Sequence, residues 1–63
     1  MKRYTQKTGN PYSLVTYNFM FKDNGEWRRG FCLYKAEYYN PDGEYFARIR
    51  EDFDKNFKPI DKL

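Results

Sequence analysis

Apolar and polar residues alternate along three stretches of this chain, at about residues 12–22, 26–39 and 44–51. A period of two places successive side chains on opposite faces of a β-strand, so the alternation predicts three half-buried strands. The stretches are also rich in aromatic or β-branched residues, which favour strands. We therefore predict a three-stranded antiparallel meander with the second strand in the centre and an N-terminal arm at residues 1–11.

The second predicted turn lies at residues 40–43, which read Asn-Pro-Asp-Gly. Proline suits the second position of a type I turn, and the glycine suits a following residue in the left-handed conformation. This geometry predicts that Asn40 pairs with Glu44.

The first predicted turn lies at residues 23–25, and its sequence permits two loop lengths. A two-residue loop would set Asp23 opposite Glu26, whereas a three-residue loop would set Lys22 opposite Glu26. Like charges directly opposite each other destabilise a sheet. We therefore favour the three-residue loop.

These registers assign the side chains of the sheet to two faces. The apolar face carries Val15, Tyr17, Phe19, Phe21, Trp27, Phe31, Leu33, Tyr39, Tyr45, Ala47 and Ile49. The mixed face carries Tyr12, Leu14, Thr16, Asn18, Met20, Arg28, Gly30, Cys32, Tyr34, Ala36, Tyr38, Phe46, Arg48 and Arg50. We predict that the apolar face is the core, with Phe19, Phe31, Leu33 and Ile49 among its buried residues.

The C-terminal segment supplies the natural cover for that core. Phe53 and Phe57 are four residues apart, which places both on one side of a helical turn, and Asp52 and Asp54 suit the start of a helix. Pro59 should end the helix, because the residue before a proline avoids the α conformation. The fold class that we expect is therefore β-rich (α+β), with a short helix within residues 51–58 packed on one face.

Length and composition indicate one small globular domain spanning residues 1–63. Hydrophobic residues make up 40% of the chain and aromatic residues 22%, so the core is expected to consist mainly of rings. The single cysteine, Cys32, has no partner for an intrachain disulfide, which favours a reducing, cytoplasmic setting. Abundant Lys, Asn, Tyr and Phe are typical of AT-rich genes and favour a low-GC bacterium or a phage as the source.

The sequence contains no recognisable catalytic constellation. The absence of histidine and the single cysteine exclude His-dependent triads and the usual zinc sites, and there is no glycine-rich phosphate loop. The nearby carboxylates of Glu51, Asp52 and Asp54 fit a solvated helix start. We expect no enzyme activity, no cofactor and no metal, and the lack of a long apolar span predicts no membrane contact.

The mixed face is the predicted partner-binding surface. It interleaves guanidinium groups with aromatic rings, a combination that recurs in protein interfaces and can also pair with phosphates and stack on bases. The predicted register sets Arg50 opposite Tyr34 and Arg48 opposite Ala36. The candidate partner-binding residues are Arg28, Tyr34, Tyr38, Phe46, Arg48 and Arg50. Next to them, Trp27 followed by two arginines forms either a local positive grip or a cation–π contact.

The favoured function is that of a small non-enzymatic interaction protein. We expect it to bind and modulate or inhibit a larger protein or nucleoprotein partner. The alternative is a nucleic-acid-binding module that uses the same face, for which the formal net charge of +3 is permissive but mild. A homodimer that consumes one face of the sheet is the third hypothesis.

Overall fold

The computed structural model describes residues 2–60. Within this range the chain forms one antiparallel sheet and one short helix. The elements are β1 (Arg3–Gln6), β2 (Pro11–Asp23), β3 (Glu26–Ala36), β4 (Tyr45–Ile49), α1 (Arg50–Asn56) and β5 (Phe57–Pro59). The strand order in the sheet is β4-β3-β2-β1-β5. The predicted β-rich fold with a short helix is confirmed, and β2, β3 and β4 are its predicted meander. The sheet has five strands where three were predicted.

The two additional strands come from the segments at the two ends of the chain. The predicted N-terminal arm contributes β1, which pairs with β2 through Tyr4 opposite Tyr12. The tail contributes β5, which pairs with β1 through Lys58 opposite Thr5. The prediction was wrong here because it left the outer edge of β2 unpaired, and an edge strand offers free backbone groups to any nearby extended segment.

The first turn is a two-residue loop, so the predicted three-residue loop is wrong. Asn24 and Gly25 have φ values of 51° and 79°, the two left-handed residues of a type I′ turn, whose twist matches that of the strands. Asp23 does lie opposite Glu26. Arg28 offsets their repulsion, because its Nη2 atom lies 3.6 Å from an Asp23 oxygen and 3.9 Å from a Glu26 oxygen.

The strands β3 and β4 on either side of the second turn pair in a different register from the one predicted. The Gly43 N–H donates to the Asn40 carbonyl, but β3 already ends at Ala36, and residues 37–44 form a loop instead of extending both strands. Phe46 therefore lies opposite Tyr34, and Arg48 lies opposite Cys32. The register is shifted by four residues from the prediction. Because four is an even number, β4 and residues 31–36 of β3 keep their predicted grouping into faces, whereas the irregularity at Gly30 moves Trp27 and Arg28 to the faces opposite those predicted.

The core lies on the opposite face from the one predicted. The buried residues are Tyr12, Cys32, Tyr34, Ala36, Phe53 and Phe57. Phe53 and Phe57 cover the sheet as expected, with ring centroids 4.5 Å apart, although the helix ends at Asn56 and Phe57 begins β5. They cover the mixed face. Phe19, Phe31 and Leu33 are only half-buried, and Ile49 is exposed, so these predicted core residues are wrong.

The mixed face can be buried because its polar groups satisfy one another. The Tyr12 and Tyr38 hydroxyls are 2.7 Å apart, and the Arg48 Nε donates to the Tyr34 hydroxyl at 2.8 Å. The Arg48 guanidinium also lies 5.3 Å from the centre of the Phe57 ring. Long amphipathic side chains can thus bury their stems and rings while their polar ends stay paired. The composition of this face misled the prediction.

Candidate functional site

The outer half of the β2–β3 hairpin projects from the rest of the sheet. β1 pairs with β2 only as far as Ser13, and β4 pairs with β3 only as far as Phe31. Residues 20–30 therefore form a two-stranded hairpin arm with no flanking strand among the described residues. The arm accounts for the elongated shape of the molecule, which measures 43 × 24 × 19 Å.

The side of the hairpin arm that continues the helix-covered face carries large exposed side chains. Trp27 is 53% exposed and Met20 is 47% exposed. Lys22 lies opposite Trp27 in the ladder, and its Nζ atom is 5.6 Å from the centre of the indole ring. The neighbouring Arg29 is exposed as well. We call Met20, Lys22, Trp27 and Arg29, together with Arg50, the hairpin-arm surface.

A groove of about 280 Å³ separates the hairpin arm from the helix. It is lined by Asn18, Phe19, Met20, Arg29, Gly30 and Arg50. Arg50, the first residue of α1, donates from Nη1 to Asn18 Oδ1 at 2.8 Å and to the Tyr17 carbonyl at 3.4 Å. These two hydrogen bonds hold the guanidinium in place. Because both acceptors are neutral, they do not offset its positive charge, and the group can pair with an incoming carboxylate or phosphate.

The backbone of β3 adopts a left-handed conformation at a glycine beside this arginine. Gly30 has a φ of 81° within an irregular stretch of the ladder, and a β-carbon at this position would lie 3.9 Å from Arg50 Nη2. Below the groove, the Tyr17 hydroxyl donates to Asp54 and ties the helix to β2. This hydrogen bond raises the pKa of the Tyr17 hydroxyl, which therefore stays protonated as the donor.

The structure does not present the predicted partner-binding residues as one open surface. Tyr34 is 4% exposed, and Tyr38 and Phe46 are half-buried against the core. Arg48 is hydrogen-bonded to Tyr34 and forms an ion pair with Asp52 at 2.7 Å. The predicted exposure of these four residues is therefore wrong, because the helix packs on their side of the sheet.

The other two predicted residues lie at the surface but on different sides of the sheet. Arg50 lines the groove, whereas Arg28 lies on the far side of the hairpin arm, beside Phe21. Sequence reasoning left Met20 and Lys22 out of the candidate site. The sequence feature that pointed to this site was Trp27 followed by two arginines. The cation that lies over the indole ring is, however, that of Lys22.

Groups that could support covalent or metal chemistry are few in the described part of the chain. Cys32 is fully buried, and burial raises the pKa of its thiol, so the thiolate is disfavoured. Across residues 2–60, no three His, Cys, Asp or Glu side chains come together as metal ligands would. Over the same residues, no helix has the length and apolar character needed to cross a bilayer.

Comparison with known proteins adds no assignment. No family model, no curated protein and no solved structure matches this chain.

Proposed function

We propose that this protein is a non-enzymatic interaction protein that binds a larger protein partner through the hairpin-arm surface. The observation that carries the proposal is the exposed Trp27 on a projecting two-stranded arm, with Met20, Arg29 and Arg50 beside it. Tryptophan, methionine and arginine are enriched in protein interfaces, and tryptophan and arginine dominate their binding energy.

The composition of this surface serves no evident purpose in the fold. The indole of Trp27 is 53% exposed and lies outside the hydrophobic core, so an alanine at this position would cost the fold little. A partner that covers the indole would bury a large apolar area that is now in water. This difference supports a binding role for Trp27.

The charges on the hairpin-arm surface favour an acidic partner. Lys22, Arg29 and Arg50 are all cationic, and Arg50 is positioned by neutral groups. These cations would attract a partner with an acidic cleft during the diffusional encounter and would form ion pairs with its carboxylates on docking. A hairpin two strands wide can enter such a cleft and block it, which is how a protein without catalytic groups can modulate or inhibit a larger one.

Nucleic acid is the second candidate partner, because a two-stranded β-ribbon can enter the major groove of DNA. The same three cations would contact phosphates. The large apolar side chains argue against this partner, since exposed Trp27 and Met20 are typical of protein interfaces and the formal net charge of +3 is mild for binding a polyanion. We therefore favour a protein partner.

Affinity capture with matched variants tests the proposal. Tagged wild-type protein, a Trp27→Ala/Arg29→Ala variant and a Tyr39→Ala control would be passed through an extract of the source organism. Tyr39 is a suitable control because it is 86% exposed and lies in a loop away from the arm. We expect one protein to be retained by the wild type and the control, and to be lost with the double variant.

Recovery of the same proteins with the double variant would contradict the role of the hairpin-arm surface. Retention on an oligonucleotide distinguishes the second candidate. Nucleic-acid binding should weaken steeply as salt rises, with a slope reduced by about one for each phosphate-contacting cation removed.

A further inference from the structure

The side of the sheet opposite α1 is an uncovered apolar surface. Its residues are Phe19, Phe21, Phe31, Leu33, Tyr45, Ala47 and Ile49, which we call the open face. The rings of Phe19 and Phe21 stack 5.6 Å apart, and those of Phe21 and Phe31 meet edge to face at 5.2 Å. Ile49 is 56% exposed. The open face is therefore an organised apolar layer that lacks a cover among the described residues.

The two ends of this surface carry opposite charge. On the open-face side of the hairpin tip, Asp23 and Glu26 share the single guanidinium of Arg28, which leaves this side of the tip negative. The other end, which we call the base, carries one row of paired residues across four strands: Arg3, Ser13, Lys35 and Tyr45. Lys58 lies on the same face, opposite Thr5.

The base remains positive after its own ion pair is counted. Glu37 accepts hydrogen bonds from Arg3 at 2.7 and 3.0 Å, and this pair is neutral. Lys35 and Lys58 are additional cations. The Lys35 ammonium lies 5.6 Å from the centre of the Tyr45 ring and is close to the open face.

The ladder places these charged ends symmetrically about a central row. Along β3, the side chains on this side of the sheet are those of Glu26, Arg28, Phe31, Leu33 and Lys35, because the irregularity at Gly30 uses one additional residue. Phe31 is the third of the five. Its row continues into Phe19 on one side and Ile49 on the other.

We propose that a second copy of this chain covers the open face in a two-fold symmetric dimer. A two-fold axis running across the strands, level with Phe31, sets the central row of one copy on that of the other. It also places the negative tip of each copy over the positive base of its partner, with Glu26 opposite Lys35. A two-fold interface requires such self-complementarity, because each contact occurs twice.

The size of the surface suits this arrangement. A standard interface buries about 800 Å² on each partner. That is about a sixth of the 4870 Å² accessible surface of the chain, and the broad side of the molecule measures 43 × 24 Å. Two sheets packed face to face in this way would form a sandwich with an apolar centre. The inference goes beyond the proposed function, since the hairpin-arm surface lies on the other side of the sheet and stays exposed.

Sedimentation of the purified full chain tests the dimer. We expect the wild-type protein to sediment at twice its 7.8 kDa chain mass at micromolar concentrations. Ile49→Lys should raise the dimer dissociation constant by about 100-fold or more, because two added charges would meet at the apolar centre. Met20→Lys, a change at an equally exposed site on the other side, should sediment as the wild type does.

A charge exchange tests the orientation of the two copies. Lys35→Glu and Glu26→Lys should each weaken self-association by about tenfold or more, because like charges would then oppose each other at both ends. An equimolar mixture of the two variants should recover the dimer, since every opposed pair regains opposite charge. A monomer at all concentrations of the wild-type protein, an Ile49→Lys dimer of wild-type affinity, or no recovery on mixing would overturn the proposal.

Discussion

Arg48 shows how one residue can be assigned the wrong role from its chemical type. Its Nε donates to the buried Tyr34 hydroxyl, its Nη1 pairs with Asp52 at 2.7 Å, and its guanidinium covers the Phe57 ring. Arg48 therefore lies at the edge of the core and connects β4 to both α1 and β5. An arginine on an alternating strand looks like a solvent-facing residue until its partners are known.

Arg48→Ala should destabilise the fold. The substitution leaves the Tyr34 hydroxyl without its donor and exposes the Phe57 ring, and a loss of about 1 to 3 kcal/mol is typical for an unsatisfied buried polar group. Urea unfolding monitored by circular dichroism would measure it. Lys55→Ala on the exposed side of the helix is the control, and equal unfolding midpoints for the two variants would show that Arg48 is not part of the core.

Tyr12 predicts an alkaline limit to stability. Burial, reinforced by the hydrogen bond with the Tyr38 hydroxyl, raises the pKa of Tyr12 from 10.0 to about 12. Because the folded pKa is above the unfolded one, the stabilisation is fully present below pH 10 and is lost as the pH rises through about 12. Melting temperatures across this window should fall, and should fall less for Tyr12→Phe. Parallel curves for the two proteins would contradict this prediction.

The α1–β5 segment is the element that decides which side of the sheet is the core. Seven residues of helix place Phe53 over the rings of Tyr4 and Tyr34, at centroid distances of 5.0 and 5.4 Å. The extended residues that follow then return along β1. A segment too short to be stable alone is thus held by its two phenylalanines and by the edge of the sheet.

Phe53→Ala should remove most of the stability of the protein. Truncating a fully buried phenylalanine typically costs about 3 to 5 kcal/mol, which approaches the total for so small a domain. Thermal unfolding would measure the loss. Tyr39→Ala, at a loop position that is largely exposed, should change stability by about 0.5 kcal/mol or less. A Phe53→Ala protein that melts with the wild type would show that the helix does not cover the sheet.

At the scale of the whole molecule, the fold divides into a compact base and a projecting hairpin arm. The base has five strands and the helix, whereas residues 20–30 have two strands and no flanking strand in the described chain. Stability in a protein is distributed according to such packing, and thinly packed parts open locally. We therefore expect the hairpin arm, which carries the proposed interaction surface, to open more easily than the base.

Hydrogen exchange should separate the two regions. We expect backbone amides of Met20 and Trp27 to exchange faster than those of Cys32 and Tyr34, because the second pair lies in the part of β3 that is flanked by strands on both sides and covered by the helix. Nuclear magnetic resonance of the intact chain at low concentration would resolve these amides. Equal protection in the arm and the base would mean that the whole chain opens as one unit.

The amino-acid sequence by itself indicates three of the five strands, and it groups correctly the side chains of β4 and of residues 31–36 in β3. Alternation with a period of two places Cys32, Tyr34 and Ala36 on one face with Phe46 and Arg48, and a register shift of four residues leaves that grouping intact. The spacing of Phe53 and Phe57 likewise predicts their shared role as a cover. These features are local, so they follow from neighbouring residues alone.

Only the tertiary structure decides which face is covered and which segments complete the sheet. Tyrosine and arginine have apolar bodies and polar ends, so their burial depends on partners that lie far away in sequence, as Tyr38 does from Tyr12 and Arg48 does from Tyr34. The pairing of β1 with β5 is equally remote. The open face is apolar and the buried face is mixed because long-range hydrogen bonds make the mixed face the one that the helix can seal.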